Sequence, residues 1–251
     1  MLQQLAARTA GGGRVERGTD SWRFSLGPAQ RGAYQLAQLD DYTGVPRRRF
    51  TQRPPLHLSL RARASHASLP GTWGFGLWND PFGFSLGFGG RSQLPALPNA
   101  AWFMFASPRN HLSLHNRLPG SGGMAAVYRS PRIPSLLLVP GLLALPLLAL
   151  PPAARGLRGL AAGLVQHDAT ALQHDPREWN NYELLWQADK VDFRIDGQSV
   201  FLSQTSPKPP LSLVIWLDNQ YAAWLPSGKL RYGVEEPQAD SWVEISDLQV
   251  Q

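Results

Sequence analysis

Between Trp179 and Gly197 the chain reads WNNYELLWQADKVDFRIDG, with apolar and polar residues alternating on both sides of a short polar break. Tyr182, Leu184 and Trp186 share one parity, and Val191, Phe193 and Ile195 share the next. Successive side chains of a strand point to opposite faces, so this spacing predicts a hairpin with one buried face that reverses at Gln187 to Lys190. Asp196-Gly197 supplies a second turn, where glycine tolerates positive φ, and QSVFL supplies a third strand. The product is an antiparallel meander whose apolar side must be covered by another layer.

The same period recurs upstream. SWRFSL, GAYQLAQLDDY and PLHLSLRARAS alternate, the last with Leu56, Leu58 and Leu60 opposed to His57, Ser59 and Arg61. GTWGFGLWNDPFG is dense in glycine and aromatics, and LPNAAWFMFAS and HLSLHNRL read as further strands. Residues 1–13 read as a flexible leader with Gly11 to Gly13 as its joint, and 14–251 as a single all-β domain, a two-sheet antiparallel sandwich. Its 9 Trp, 10 Phe and 6 Tyr, set among 24 Gly and 22 Pro, suit many strands joined by tight turns better than a helical bundle.

An apolar arm at 133–166 interrupts the strands. Residues 133–154 carry no charge and are numerous enough to cross a bilayer, but Pro134, Pro140, Pro146, Pro151 and Pro152 break the helix that crossing requires, and the flanking strands would be split between two sides of a membrane. From Arg155 to Gln166, Leu157, Leu160, Ala161 and Leu164 fall at helical spacing. The arm is therefore expected as a partly helical Leu/Pro-rich insertion that packs on the sandwich, with a membrane-surface or apolar-ligand contact as the alternative and no membrane span.

The absence of cysteine excludes disulfides, thiol catalysis and cysteine metal sites. A net charge of +6 permits anionic partners, but arginine is dispersed. The tight run Arg47-Arg48-Arg49 reads as a solvated turn, and without a helix-turn-helix, zinc-finger or aromatic ribonucleoprotein pattern no nucleic-acid partner is expected. No phosphate-cradling glycine loop or nucleotide fingerprint appears, so no cofactor is expected. The amino terminus lacks a basic start followed by a continuous apolar core, which reads as cytoplasmic.

Several segments resemble the concanavalin A-like lectins and glucanases, and within them the family-16 glycoside hydrolases. WNNYELLWQADKVDFRIDG is similar to that family's strand pair, PPLSLVIWLDNQ to its next inner strand, SWVEISDLQVQ to its closing strand, and GTWGFGLWND to the strand preceding its catalytic one. Together with LRARAS they spread over most of 50–251. The resemblance implies a jelly-roll sandwich with a polysaccharide groove on one concave face, and a strand presenting Glu, Asp and Glu as nucleophile, assisting acid and acid/base. The matching strand lies in ALPNAAWFMFASP, which contains no acid, and no Asp or Glu occurs between Asp80 and Asp168. Retaining hydrolysis needs two carboxylates about 5 Å apart. The resemblance therefore implies a non-catalytic relative that binds a carbohydrate or another elongated ligand.

Aromatic rings can stack on sugars while neighbouring amides and carboxylates bond the hydroxyls. Trp73, Trp78, Asn79, Asp80, Trp102, Trp216 and Trp224 are the candidate ligand contacts; Trp216 stands where the resemblance puts a polar groove residue. An active glycosidase using other acids would draw on Asp80, Asp168, Asp175 or Glu178. His167-Asp168 and His174-Asp175, with Glu178 nearby, form an imaginable metal or acid/base set, but a polar loop before Trp179 accounts for them, and no metal site is assigned. Asp40-Asp41 reads as a turn.

Overall fold

A computed structural model describes residues 5–28, 32–81, 94–134, 136–138, 148–238 and 240–251. In chain order the strands are β1 (Ala6–Ala10), β2 (Gly13–Arg17), β3 (Ser21–Leu26), β4 (Leu36–Asp40), β5 (Leu56–Ala64), β6 (Thr72–Trp78), β7 (Ala100–Ala106), β8 (Gly122–Arg129), β9 (Gln166–Ala171), β10 (Asn180–Trp186), β11 (Val191–Ile195), β12 (Gln198–Ser203), β13 (Ser212–Asp218), β14 (Gln220–Trp224), β15 (Leu230–Val234) and β16 (Ser241–Val250). The helix α1 (Pro151–Leu164) precedes β9.

Two seven-stranded antiparallel sheets form the sandwich. The first runs β1-β4-β13-β6-β7-β8-β9 and the second β12-β11-β10-β5-β16-β3-β2, with β14-β15 as a separate hairpin. The 179–203 segment folds as its alternation predicts. Tyr182, Leu184 and Trp186 oppose Ile195, Phe193 and Val191, and Asp196 and Gly197 close the two-residue turn with φ of 50° and 77°, as a type I′ turn needs. All six apolar residues enter the core between the sheets. There Trp73 stacks on Phe105 at 3.8 Å, and Phe103 meets Tyr182 and Phe193 edge-on at 5.1 Å.

Two expectations are corrected. Within the supposed leader, Ala6–Ala10 is an edge strand paired with β4, and Gly11, at φ 59°, turns the chain into β2 in the other sheet. AARTA has only small and polar residues because an edge rung there needs backbone pairing and little side-chain burial. HLSLHNRL is a loop in which His111 alone makes a bridge, with Ala223. Its leucines, Leu112, Leu114 and Leu118, pack onto the outer face of the first sheet.

The described part of the apolar arm includes the expected helix, but turned differently. It buries Ala154 and Arg158, while Leu160 and Leu164 are 61% and 40% exposed. Pro140 and Pro146 lie outside the described residues. Among the described residues no helix is long and apolar enough to cross a membrane.

Candidate functional site

The face of the first sheet turned away from the second is where the resemblance locates the groove. Period-two geometry sends Ala101, Phe103 and Phe105 of β7 into the core between the sheets, leaving Ala100, Trp102, Met104 and Ala106 for this outer face. The register sets these residues in rows across the strands. Trp216, Gly74, Met104 and Met124 form one row; Val214, Gly76, Trp102 and Ala126 form the next; Ser212, Trp78, Ala100, Tyr128 and His167 form a third. Gly74 is required by close approach, because a Cβ there would lie 2.9 Å from Cη2 of Trp216 and would also strike the Phe103 carbonyl oxygen.

The rings fill the face. Trp78 lies parallel to Trp216 at 6.4 Å, and Trp102 tilts against both at 6.0 and 5.7 Å. Tyr128 meets Trp102 edge-on at 5.6 Å and stacks on His167 at 4.1 Å. Trp102 and Trp216 are only 5% and 8% exposed, and Met104, Tyr128 and His167 are buried too. Tyr42 and Phe50 from the β4–β5 connection, Leu112, Leu114 and Leu118 from the β7–β8 connection, and Val165 after α1 complete a second apolar cluster. Arg158 pins the arm over this cover, donating to the carbonyls of Trp224 and Ser113 at 3.0 Å and to Oδ1 of Asn116 at 2.8 Å.

Polar groups on this face occupy structural positions. Asp40 is fully buried and accepts from Gln38 Nε2, Thr43 Oγ1 and the backbone N–H groups of Tyr42 and Thr43, the turn role its sequence indicates. Asp218 accepts from Thr72 N–H and Oγ1 and from Gln220 N–H, yet burial pushes its carboxyl up to about 7. His167 is held down to about 4, by burial first and by His115 second; both its ring nitrogens, and Nε1 of Trp102, are buried without a hydrogen-bond partner among the described residues.

The structure separates the expected ligand contacts. Trp73 is 2% exposed in the core between the sheets and cannot face a groove, which corrects its assignment; the reason is parity, since Trp73 and Trp78 are five residues apart on one strand. Trp78, Trp102 and Trp216 do meet, but only Trp78 keeps intermediate exposure. Trp216 donates from Nε1 to Thr72 Oγ1 at 2.9 Å. Asn79 uses its side chain to hold the chain before β7, donating to the Leu97 carbonyl and accepting from Asn99 N–H. Asp80, 8% exposed with φ 48°, follows β6; burial raises its carboxyl to about 6 against the pull of Arg47 and Arg8. Its backbone carbonyl, with that of Asn79, receives Arg47, so the arginine run is a short 3-10 turn clamped to this loop. Trp224 lies apart, in β14.

The alternative acids do not assemble. Asp168 turns to the inner side of β9 and accepts from Ser203 Oγ at 2.8 Å. Asp175 is paired with Arg177, which holds it down to about 2, and Glu178 is exposed. Asp80 follows β6 and Asp168 sits on β9, three strands away at about 4.8 Å per strand, so their separation exceeds the roughly 5 to 9.5 Å that glycosidase carboxylates span. His174 bonds the Tyr182 hydroxyl at 2.6 Å, away from His167, and no group of three His, Asp or Glu among the described residues is arranged to hold a metal.

No protein-family model matches the chain, and no curated protein matches it. Solved structures do. A mixed-linkage-glucan GH16 protein from Bacteroides ovatus, in complex with product, aligns with TM-score 0.51 at 10% identity over 98% of this chain and 94% of that one. A glycoside hydrolase family protein from Mycobacterium thermorestibile aligns with TM-score 0.48 at 12% identity over 92% and 76%, and a carbohydrate-binding module from Bacillus subtilis with TM-score 0.44 at 6% over 100% and 96%. At such identities the likeness is one of architecture: this chain has the concanavalin A-like jelly-roll fold found in family-16 glycoside hydrolases.

Proposed function

We propose that this protein is a non-catalytic member of the jelly-roll group that binds a carbohydrate at the margin of its filled face. One observation carries the reading: the outer face of β7 presents Ala100, Trp102, Met104 and Ala106, none of which can serve as nucleophile or proton donor. Of the three tryptophans on this face, Trp78 is the one that retains solvent contact and so can stack on a sugar ring. Incubation with β-glucans and galactans is expected to release no reducing ends. Affinity electrophoresis through the same polysaccharides is expected to retard the protein, and Trp78→Ala to relieve the retardation. Turnover that disappears in Asp80→Asn or Asp168→Asn would establish the glycosidase alternative instead.

A second reading is favoured by the arm. Leu136, Leu137, Leu150 and Leu160 are 72%, 68%, 57% and 61% exposed, and seven arginines but no acid lie between Asp80 and Asp168 in the sequence. Exposed leucines flanked by cations suit the surface of an anionic bilayer. Flotation with phosphatidylserine vesicles, lost in a Leu160→Asp, Leu164→Asp variant, is the expected result; equal flotation of the variant would remove this reading.

A further inference from the structure

Beyond the filled face, a cavity of about 410 Å³ opens where the β7–β8 connection meets the β14-β15 hairpin; Arg109, Asn110, His111, Ser121, Tyr221 and Arg231 are among its lining residues. Its walls are fixed by backbone bonds between the two segments. His111 N–H donates to the Ala222 carbonyl at 2.9 Å, Trp224 N–H to the His111 carbonyl at 3.2 Å, and Ala222 N–H to Asn110 Oδ1 at 2.9 Å. Asn110 in turn donates to the Gly71 carbonyl and to Ser107 Oγ, both at 3.0 Å. A cavity between elements stitched this way is preformed, which lowers the ordering cost of binding.

The charge inside is one-sided. Arg109 lies 4.0 Å over the Tyr221 ring and 3.8 Å from Glu235, whose other oxygen accepts from Gly71 N–H at 2.6 Å. Arg231 has no carboxylate within 4.0 Å among the described residues. Arg158, the guanidinium that acts on His111, is buried with neutral acceptors as its partners among the described residues. Nε2 of His111 is buried and has no hydrogen-bond partner among the described residues. Two guanidinium groups, Arg109 and Arg231, thus line the cavity, with the Glu235 carboxylate beside Arg109 and Arg158 close enough to act on His111. Burial and the Arg158 charge both lower the proton affinity of His111, leaving a neutral ring.

We infer that this cavity seats the oxyanion of an acidic saccharide, a uronate carboxylate or a sulfate ester, with Arg231 and Arg109 as its charge partners and Ser121 as a hydrogen-bonding group. The inference rests on the carbohydrate reading for the sugar that bears the anion; the oxyanion seat itself rests on the cavity. Calorimetric titration of the full chain with digalacturonate, a sulfated galactan disaccharide, the same disaccharide without sulfate, and inorganic sulfate tests it. At least one acidic disaccharide is expected to bind at least about tenfold more tightly than the neutral one, and to weaken about tenfold or more in Arg231→Gln, whose exposed position leaves the fold intact. The winning arm distinguishes carboxylate from sulfate.

Equal binding of acidic and neutral sugars, or unchanged acidic binding in Arg231→Gln, would overturn the inference. Inorganic sulfate binding as tightly as the sulfated disaccharide, with no response to digalacturonate, would overturn its saccharide part. Trp78→Ala separates the two readings: loss of neutral-polysaccharide retention there, with acidic disaccharide binding retained, supports both. Failure of all polysaccharide retention together with Arg231-dependent acidic binding would remove the proposed function and leave this site standing.

Discussion

Trp216→Ala asks whether the outer aromatic set is core or ligand platform. Trp216 is 8% exposed, lies beside Trp78 and Trp102, and donates to Thr72. A tryptophan side chain buries about 200 Å², and at about 25 cal/mol per Å² its removal forfeits as much as about 5 kcal/mol. That figure is an upper bound, because an unfolded chain already shelters part of the ring, whereas the lost hydrogen bond adds about 1 kcal/mol. The expected loss is about 3–5 kcal/mol, a large fraction of the roughly 5–15 kcal/mol that holds a domain together. Equilibrium urea unfolding reads this as a lower midpoint at nearly constant slope. Trp216→Phe, which keeps a ring and gives up the bond to Thr72, should lose about 1–2 kcal/mol. A loss under about 1 kcal/mol in both variants, accompanied by failure to bind polysaccharide, would refute the packed-face account.

Three further outcomes follow from the same face. Gly74→Ala should destabilise by about 1–3 kcal/mol in urea unfolding, because the methyl group meets Trp216 and the Phe103 carbonyl. Asp218 has a carboxyl raised from 3.8 to about 7, so its folded state holds a proton the unfolded chain releases; its contribution is complete below about pH 4 and is lost as pH rises through about 7. Thermal melts across that window should show a decline in stability of as much as about 4 kcal/mol that Asp218→Asn removes. His167, lowered from 6.5 to about 4, has the opposite sign: its contribution is complete above about pH 6.5 and is lost as pH falls through about 4, and His167→Phe should flatten that acid limb of the melting curve.

Strand parity made much of this fold legible, most plainly from Tyr182 to Ile195, where every inward residue was marked by its neighbours. It also made β7 readable as apolar on both sides. The same rule, applied to β6, separates Trp73 from Trp78 before any coordinates are known; grouping them by aromatic character obscured that difference. Other features carry no local signal. AARTA is a strand because β4 offers an open rung, and the leucines of HLSLHNRL alternate because they cover a sheet from a loop. Arg158 is buried because three acceptors distant in sequence converge on it, which no periodicity reveals, and the cavity at Arg109 and Arg231 joins segments more than a hundred residues apart.

The double-sided packing of β7 also sets what an acidic side chain on that strand would meet. A glutamate exchanged for Trp102 or Met104 would arrive in a dry enclosure of indole, phenol and thioether, where a carboxyl keeps its proton rather than attacking a sugar. Placing hydrolytic chemistry on this strand would demand opening the cover supplied by three separate connections as well as changing the strand. The proposed lack of hydrolysis would then be a property of the architecture, carried by many side chains at once rather than by one position.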